Sequence, residues 1–180
     1  MAQGATVYVA GDRGLFGVGA GTWSPAAGFE NLVTRAHAEL DLGDAGAVRY
    51  FFARERPEYV FLAAAKVGGI LANATYPADF LRENLSIETN VIDAAHHAGV
   101  KRLLFLGSSC IYPRDCPQPI AEESLLSGPL EPTNRPYAVA KIAGIELCWA
   151  YNRQHGTRYL AVMPANLYGP GDHYDLETSH

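Results

Sequence analysis

Apolar positions recur with two periods along the chain. Short apolar, partly β-branched runs over residues 6–10, 59–64, 103–106 and 160–163 predict buried strands, and residues 31–34 a shorter one. Between them, the 3.6-residue period predicts helices over 44–54, 77–97 and 137–155. Pro77 suits a first helical turn, and Gly99 suits the position just past a helix end. Strands that alternate with helices imply right-handed crossovers and an α/β fold, a doubly wound parallel sheet covered on both faces. Ligand sites in that class lie at the carboxyl ends of the strands. Residues 113–136 break the alternation with Pro, Ser, Glu and Asn, and a connection that long in a compact domain points to function. Residues 169–180 read as a loop without periodicity.

Composition narrows the class. A chain of 180 residues, 48% hydrophobic and 18% charged, suits one domain built on a buried sheet. The formal charge of -5, with no basic run, argues against a nucleic-acid or anionic-membrane partner. No apolar run approaches the roughly 20 residues that cross a bilayer. The first residues lack the pattern of a secretory signal, so a cytoplasmic location is expected. Cys110, Cys116 and Cys148 are odd in number and not spaced as paired zinc ligands, which predicts free thiols and no metal.

The first strand runs into Gly11, Asp12, Arg13, Gly14, Leu15, Phe16 and Gly17. Glycines so placed let the backbone turn tightly against a pyrophosphate, whose charge meets the N-terminus of the next helix. Two glycines and a proline within residues 18–27 oppose that helix, at about 1 kcal/mol per glycine and about 3 for the proline.

Tyr137 and Lys141 stand four apart at a helix start, so both project from one face. A nearby ammonium favours phenolate and is expected to lower the tyrosine pKa, which makes the phenol a usable proton donor. Gly107, Ser108 and Ser109 directly follow the strand at 103–106, and a hydroxyl there can donate to a substrate carbonyl. Ser, Tyr and Lys behind an N-terminal glycine loop are characteristic of the short-chain dehydrogenase/reductase superfamily.

Four stretches carry a more specific likeness: Ala63-Ala64-Ala65-Lys66-Val67-Gly68-Gly69-Ile70, Gly107-Ser108-Ser109-Cys110-Ile111-Tyr112-Pro113, Glu131-Pro132-Thr133-Asn134, and Pro136-Tyr137-Ala138-Val139-Ala140-Lys141-Ile142-Ala143-Gly144. Together they closely resemble the GDP-L-fucose synthase family of extended short-chain dehydrogenase/reductases. The resemblance runs from about residue 6 to residue 180, broken at 18–27 and at Asp12, where the family has histidine. It implies a Rossmann-like NADP-binding domain over residues 1–180, and the family's chain continues into a sugar-nucleotide domain not contained in this sequence. The implied activity is NADPH-dependent 3,5-epimerisation and 4-reduction of GDP-4-keto-6-deoxy-D-mannose to GDP-L-fucose.

By that resemblance Tyr137 gives a proton at the sugar's fourth carbon as NADPH delivers hydride, Lys141 holds the nicotinamide ribose, and Ser108 polarises the ketone. Cys110 and His180 match the family's epimerisation pair. Gly11 to Gly17 would carry the pyrophosphate, and Arg13, Arg35 and His37 the adenosine phosphate, favouring NADP. Asp41 and Leu42 would border the adenine, and Leu106, Gly107, Ser108 and Ser109 the ribose. Pro164, Ala165, Asn166, Leu167 and His180 would line the nicotinamide and sugar. A homodimer through the helices at 77–97 and 137–155 is also implied, in line with apolar residues on more than one face of each: Phe80, Leu81, Ile87, Val91 and Ile92, and Ile145, Leu147, Trp149 and Tyr151. The rival expectations are another sugar-nucleotide epimerase or reductase, which needs no Cys110 and His180 pair, and a catalytically silent nucleotide-binding fragment. On its own the chain is expected to turn over little, because no substrate domain holds the sugar.

Overall fold

Thr6–Val9 form β1, Leu32–Val33 β2, Tyr59–Leu62 β3, Arg102–Leu106 β4 and Tyr159–Val162 β5 in a computed structural model that describes residues 6–9 and 32–164. The strands join one sheet in the order β2-β1-β3-β4-β5, and every neighbouring pair is parallel. Strand order reverses between β1 and β3, the crevice where open α/β sheets take their ligands. The glycine loop at Gly11–Gly17 and the doubtful helix at 18–27 lie outside the described residues.

Helix α1 (Ala45–Glu55) starts where Asp44 caps it, its carboxylate accepting from the Gly46 and Ala47 amides at 2.7 and 3.0 Å. Helix α2 (Ile70–Thr75) is a single short stretch that the pattern did not predict, since six residues are too few to show a period. Helix α3 (Pro77–His97) opens on its proline and gives way to Gly99 at φ +71°. Helix α4 (Arg135–His155) begins two residues before the expected start, with Pro136 in its first turn, and ends on left-handed Gly156.

Helices α1, α3 and α4 pack side by side as one layer on the sheet. Val60 and Leu62 of β3 and Leu103 and Phe105 of β4 are buried, while Leu104 and Leu106 between them are half-buried. Each of those buried side chains contributes about 1.5 to 3 kcal/mol. Among the described residues these three helices form one layer, and a second cover, expected for a doubly wound sheet, is not found among them.

The apolar excess on α3 and α4 is largely consumed within the chain. Phe80, Val91, Ile92 and Ile145 are buried in the core or beneath the neighbouring helix, and Leu81, Ile87, Leu147 and Tyr151 are half-buried. Trp149 alone of the nine remains exposed, at 51%. Apolar residues on several faces of these helices therefore reflect, in large part, packing against sheet and neighbours together.

Gly144 fixes the height of α4 above the sheet. A Cβ there would overlap the edge of the Phe105 ring and come within 2.9 Å of Glu88 Oε2. Both neighbours are themselves buried and cannot withdraw. Gly144→Ala should therefore lower the unfolding free energy by about 1 to 3 kcal/mol through overpacking, against the helix-propensity gain of about 1 kcal/mol. Urea denaturation measures it, and a stabilised variant would contradict this packing.

Candidate active site

The carboxyl end of β4 carries several of the residues to which the sequence assigned catalysis. Leu106 ends the strand, and the Gly107 amide continues the ladder by donating to the Val162 carbonyl at 2.8 Å. A Cβ on Gly107 would lie 3.2 Å from that carbonyl oxygen, so glycine keeps the crest of the sheet flat. Half-buried Ser108 follows in extended backbone, and a single 3-10 turn over Ser109–Ile111 brings Cys110 back beneath α4, which packs against it. Tyr137 and Lys141 stand one turn apart at the start of α4. Ser108, Cys110, Tyr137 and Lys141 thus meet between the end of β4 and the start of α4.

Lys141 is not a surface lysine. Its side chain is 2% exposed, and its Nζ lies 3.1 Å from Oε1 of Glu88 on α3, a carboxylate also 2% exposed. The ammonium also sits 4.6 Å from the Phe105 ring centre and 5.9 Å from that of Tyr137. Neither Glu88 oxygen is aligned for a hydrogen bond, despite the short Nζ–Oε1 approach, so the contact is an ion pair held by position. Burial pushes the Glu88 carboxyl up to about 7, with Lys141 pulling the other way.

The expected lowering of the Tyr137 pKa by Lys141 is not found. Burial, with smaller contributions from Cys110 and the Glu88 carboxylate, holds the phenol above its ordinary range. The ammonium already answers Glu88 and is turned over Phe105, which leaves little of its field for the phenol. Burial likewise raises the Cys110 thiol, opposed by a hydrogen bond from Ser108 and by the Lys141 charge. Cys148, buried further along α4, is pushed up to about 12 by burial and then by Glu88.

The residues assigned to an adenosine end are spread along the β2 side. Arg35 donates to the Thr34 carbonyl at 2.7 Å and to Glu55 Oε1 at 3.1 Å, and its guanidinium lies over the Phe51 ring at 5.4 Å. His37 and Asp41 are exposed, with Asp41 Oδ1 accepting from the Gly43 amide. Leu42 is buried in the core, and its carbonyl accepts from Asn90 Nδ2 at 2.8 Å. Pro164 follows β5 beside the crest. Gly11, Asp12, Arg13, Gly14, Leu15, Phe16, Gly17, Ala165, Asn166, Leu167 and His180 lie outside the described residues.

Two groups escaped the sequence reading. Asn84 accepts from the Lys66 amide at 2.8 Å and donates to the Lys66 and Phe80 carbonyls, and Lys66 Nζ pairs with Glu83 at 3.0 Å, which ties the loop after β3 to α3. Glu88 is the other. Their signal was present in α3, where Phe80, Asn84, Glu88, Val91 and Ala95 follow the spacing of a buried stripe.

A parallel sheet with this crevice, and with Ser, Tyr and Lys at one strand end, defines a dinucleotide-dependent enzyme class. The chain belongs to the NAD dependent epimerase/dehydratase family, whose model matches residues 11–180. It is 57% identical over 178 residues to GDP-L-fucose synthase 1 of Arabidopsis thaliana, covering 99% of this chain and 55% of the relative. To GDP-L-fucose synthase of Escherichia coli (strain K12) it is 57% identical over 174 residues, covering 97% and 54%. The crystal structure of a GDP-L-fucose synthetase from Naegleria fowleri bound to NADP superposes with a TM-score of 0.87 at 31% identity, covering 100% of this chain and 56% of that one. The chain thus spans about half the length of the curated relatives it matches.

Because Glu88 holds its proton to about 7 in the folded chain, against 4.5 ordinarily, the folded state binds more protons between those values. Its contribution to stability is therefore favourable at low pH and is lost as pH rises from about 4.5 to about 7. Glu88→Gln should remove that downward component from a series of urea denaturations. Parallel pH profiles for the two proteins would contradict it.

Proposed function

We propose that this chain carries the cofactor-binding and catalytic residues of a GDP-L-fucose synthase, which epimerises and reduces GDP-4-keto-6-deoxy-D-mannose with NADPH. The observation that carries this reading is the convergence of Ser108, Cys110, Tyr137 and Lys141 at the end of β4. Identity of 57% to named GDP-L-fucose synthases supports the sugar nucleotide as substrate.

The described residues fit a nicotinamide dinucleotide. The buried Oδ1 of Asn134, beside the start of α4, has no hydrogen-bond partner among the described residues. The reduced nicotinamide, when bound, supplies the hydride. Ser108 donates a hydrogen bond to the ketone oxygen, Tyr137 Oη gives that oxygen a proton, and Lys141 holds the ribose. Cys110 Sγ and the His180 imidazole exchange protons at the carbons flanking the ketone, with Ser108 and Lys141 favouring the thiolate. Arg13 and His37 would meet the 2′-phosphate, joined by Arg35 where Glu55 shares it. A homodimer, with exposed Trp149 at its contact, and a cytoplasmic location complete the proposal.

Calorimetric titration should show tighter binding of NADPH than NADH, with Arg13→Ala narrowing the gap. Equal affinities would end the NADP assignment. With the chain fused to the carboxyl-terminal half of the Escherichia coli relative, Tyr137→Phe should cut NADPH oxidation about a hundredfold or more while solvent deuterium still enters the sugar. Cys110→Ser should slow deuterium entry. Loss of exchange in Tyr137→Phe would show that the two half-reactions are not divided in this way.

A further inference from the structure

Glu88 is a fully buried carboxylate with no hydrogen bond to either oxygen, an arrangement that costs several kcal/mol unless another group compensates it. Lys141 is that group, and it is also the cation of the site. The space for the carboxylate is specifically made: a Cβ at Gly144 would stand 2.9 Å from Glu88 Oε2. The ammonium is thereby clamped between α3 and the face of Phe105, 4.6 Å from that ring centre and 5.9 Å from the Tyr137 ring centre.

We propose that Glu88 is a positioning residue for this site: its carboxylate fixes where the Lys141 ammonium lies and sets how much of that charge reaches Tyr137 and Cys110. The catalytic meaning of this rests on the reductase reading above, but the coupling of charges does not. With Glu88 ionised, its charge cancels that of Lys141 nearby, and the phenol and thiol feel little of either. With Glu88 protonated, the ammonium acts alone and favours phenolate and thiolate. The exchange falls near neutrality, since the carboxyl titrates at about 7. Among the described residues, the titratable groups that couple to the pair are Tyr137 and Cys148 on α4 and Cys110 in the turn after β4, while β4 presents the Phe105 ring.

Alkylation of Cys110 by iodoacetamide as a function of pH, in the chain carrying Cys116→Ser, reads the field directly. Glu88→Gln should lower the apparent thiol pKa by roughly one unit, the size of effect an unmasked neighbouring cation produces. In a Lys141→Met background the same substitution should change nothing, because a lone buried carboxyl is already protonated. A Glu88→Gln profile superimposable on the parent, or an equal shift in the Lys141→Met background, would overturn the proposal. Should Glu88→Gln fail to fold, carbon NMR of the parent decides: the Glu88 carboxyl carbon and the Lys141 Cε should share one midpoint near 7, and a Lys141 signal without that step refutes the coupling. Neither readout involves NADPH or a sugar nucleotide, so failure here leaves the cofactor titrations above to stand or fall separately.

Discussion

The approach of α4 to β4 at Gly144 is the constraint on which the site depends. With no side chain at that position, the helix settles onto the Phe105 ring and closes over Glu88. Lys141 and Tyr137 lie about one and two turns toward the N-terminus of the same helix, so its height sets theirs. The same descent presses α4 against the turn that carries Cys110. Packing and chemistry share one contact, and a methyl group there would disturb both.

Electrostatics follows from that closeness. A carboxylate and an ammonium that are each almost wholly removed from water are tied together more by the cost of separation than by net attraction. Lys141 is therefore committed to Glu88 before it serves the phenol. Tyr137 and Cys110 stay protonated under these conditions, as burial dominates both. The phenol and thiol here become anions more readily only when the balance around Lys141 changes.

Much of the architecture was legible in the sequence. Alternating strand and helix periods, Pro77, Gly99 and the β4 end at Gly107 identified the parallel sheet and the strand that bears the site, because each reflects local backbone physics. The Ser108, Tyr137 and Lys141 grouping was legible for the same reason: two residues share a helix face and the third follows a strand. Six-residue α2 left no periodic trace, and the fate of the apolar residues on α3 depended on contacts with α1 and α4 that no local window contains. Glu88 was hidden by its type. A glutamate in a helix reads as a solvent-facing residue unless its register with Phe80, Asn84 and Val91 is weighed above its charge.

A crystal structure of the NADP complex tests most directly that Glu88 holds the site's lysine. The account predicts Lys141 Nζ still within ion-pair distance of the Glu88 carboxylate, as at 3.1 Å here, while it reaches the ribose from above Phe105. An ammonium swung clear of α3, with the Glu88 carboxylate facing water or another cation, would contradict it.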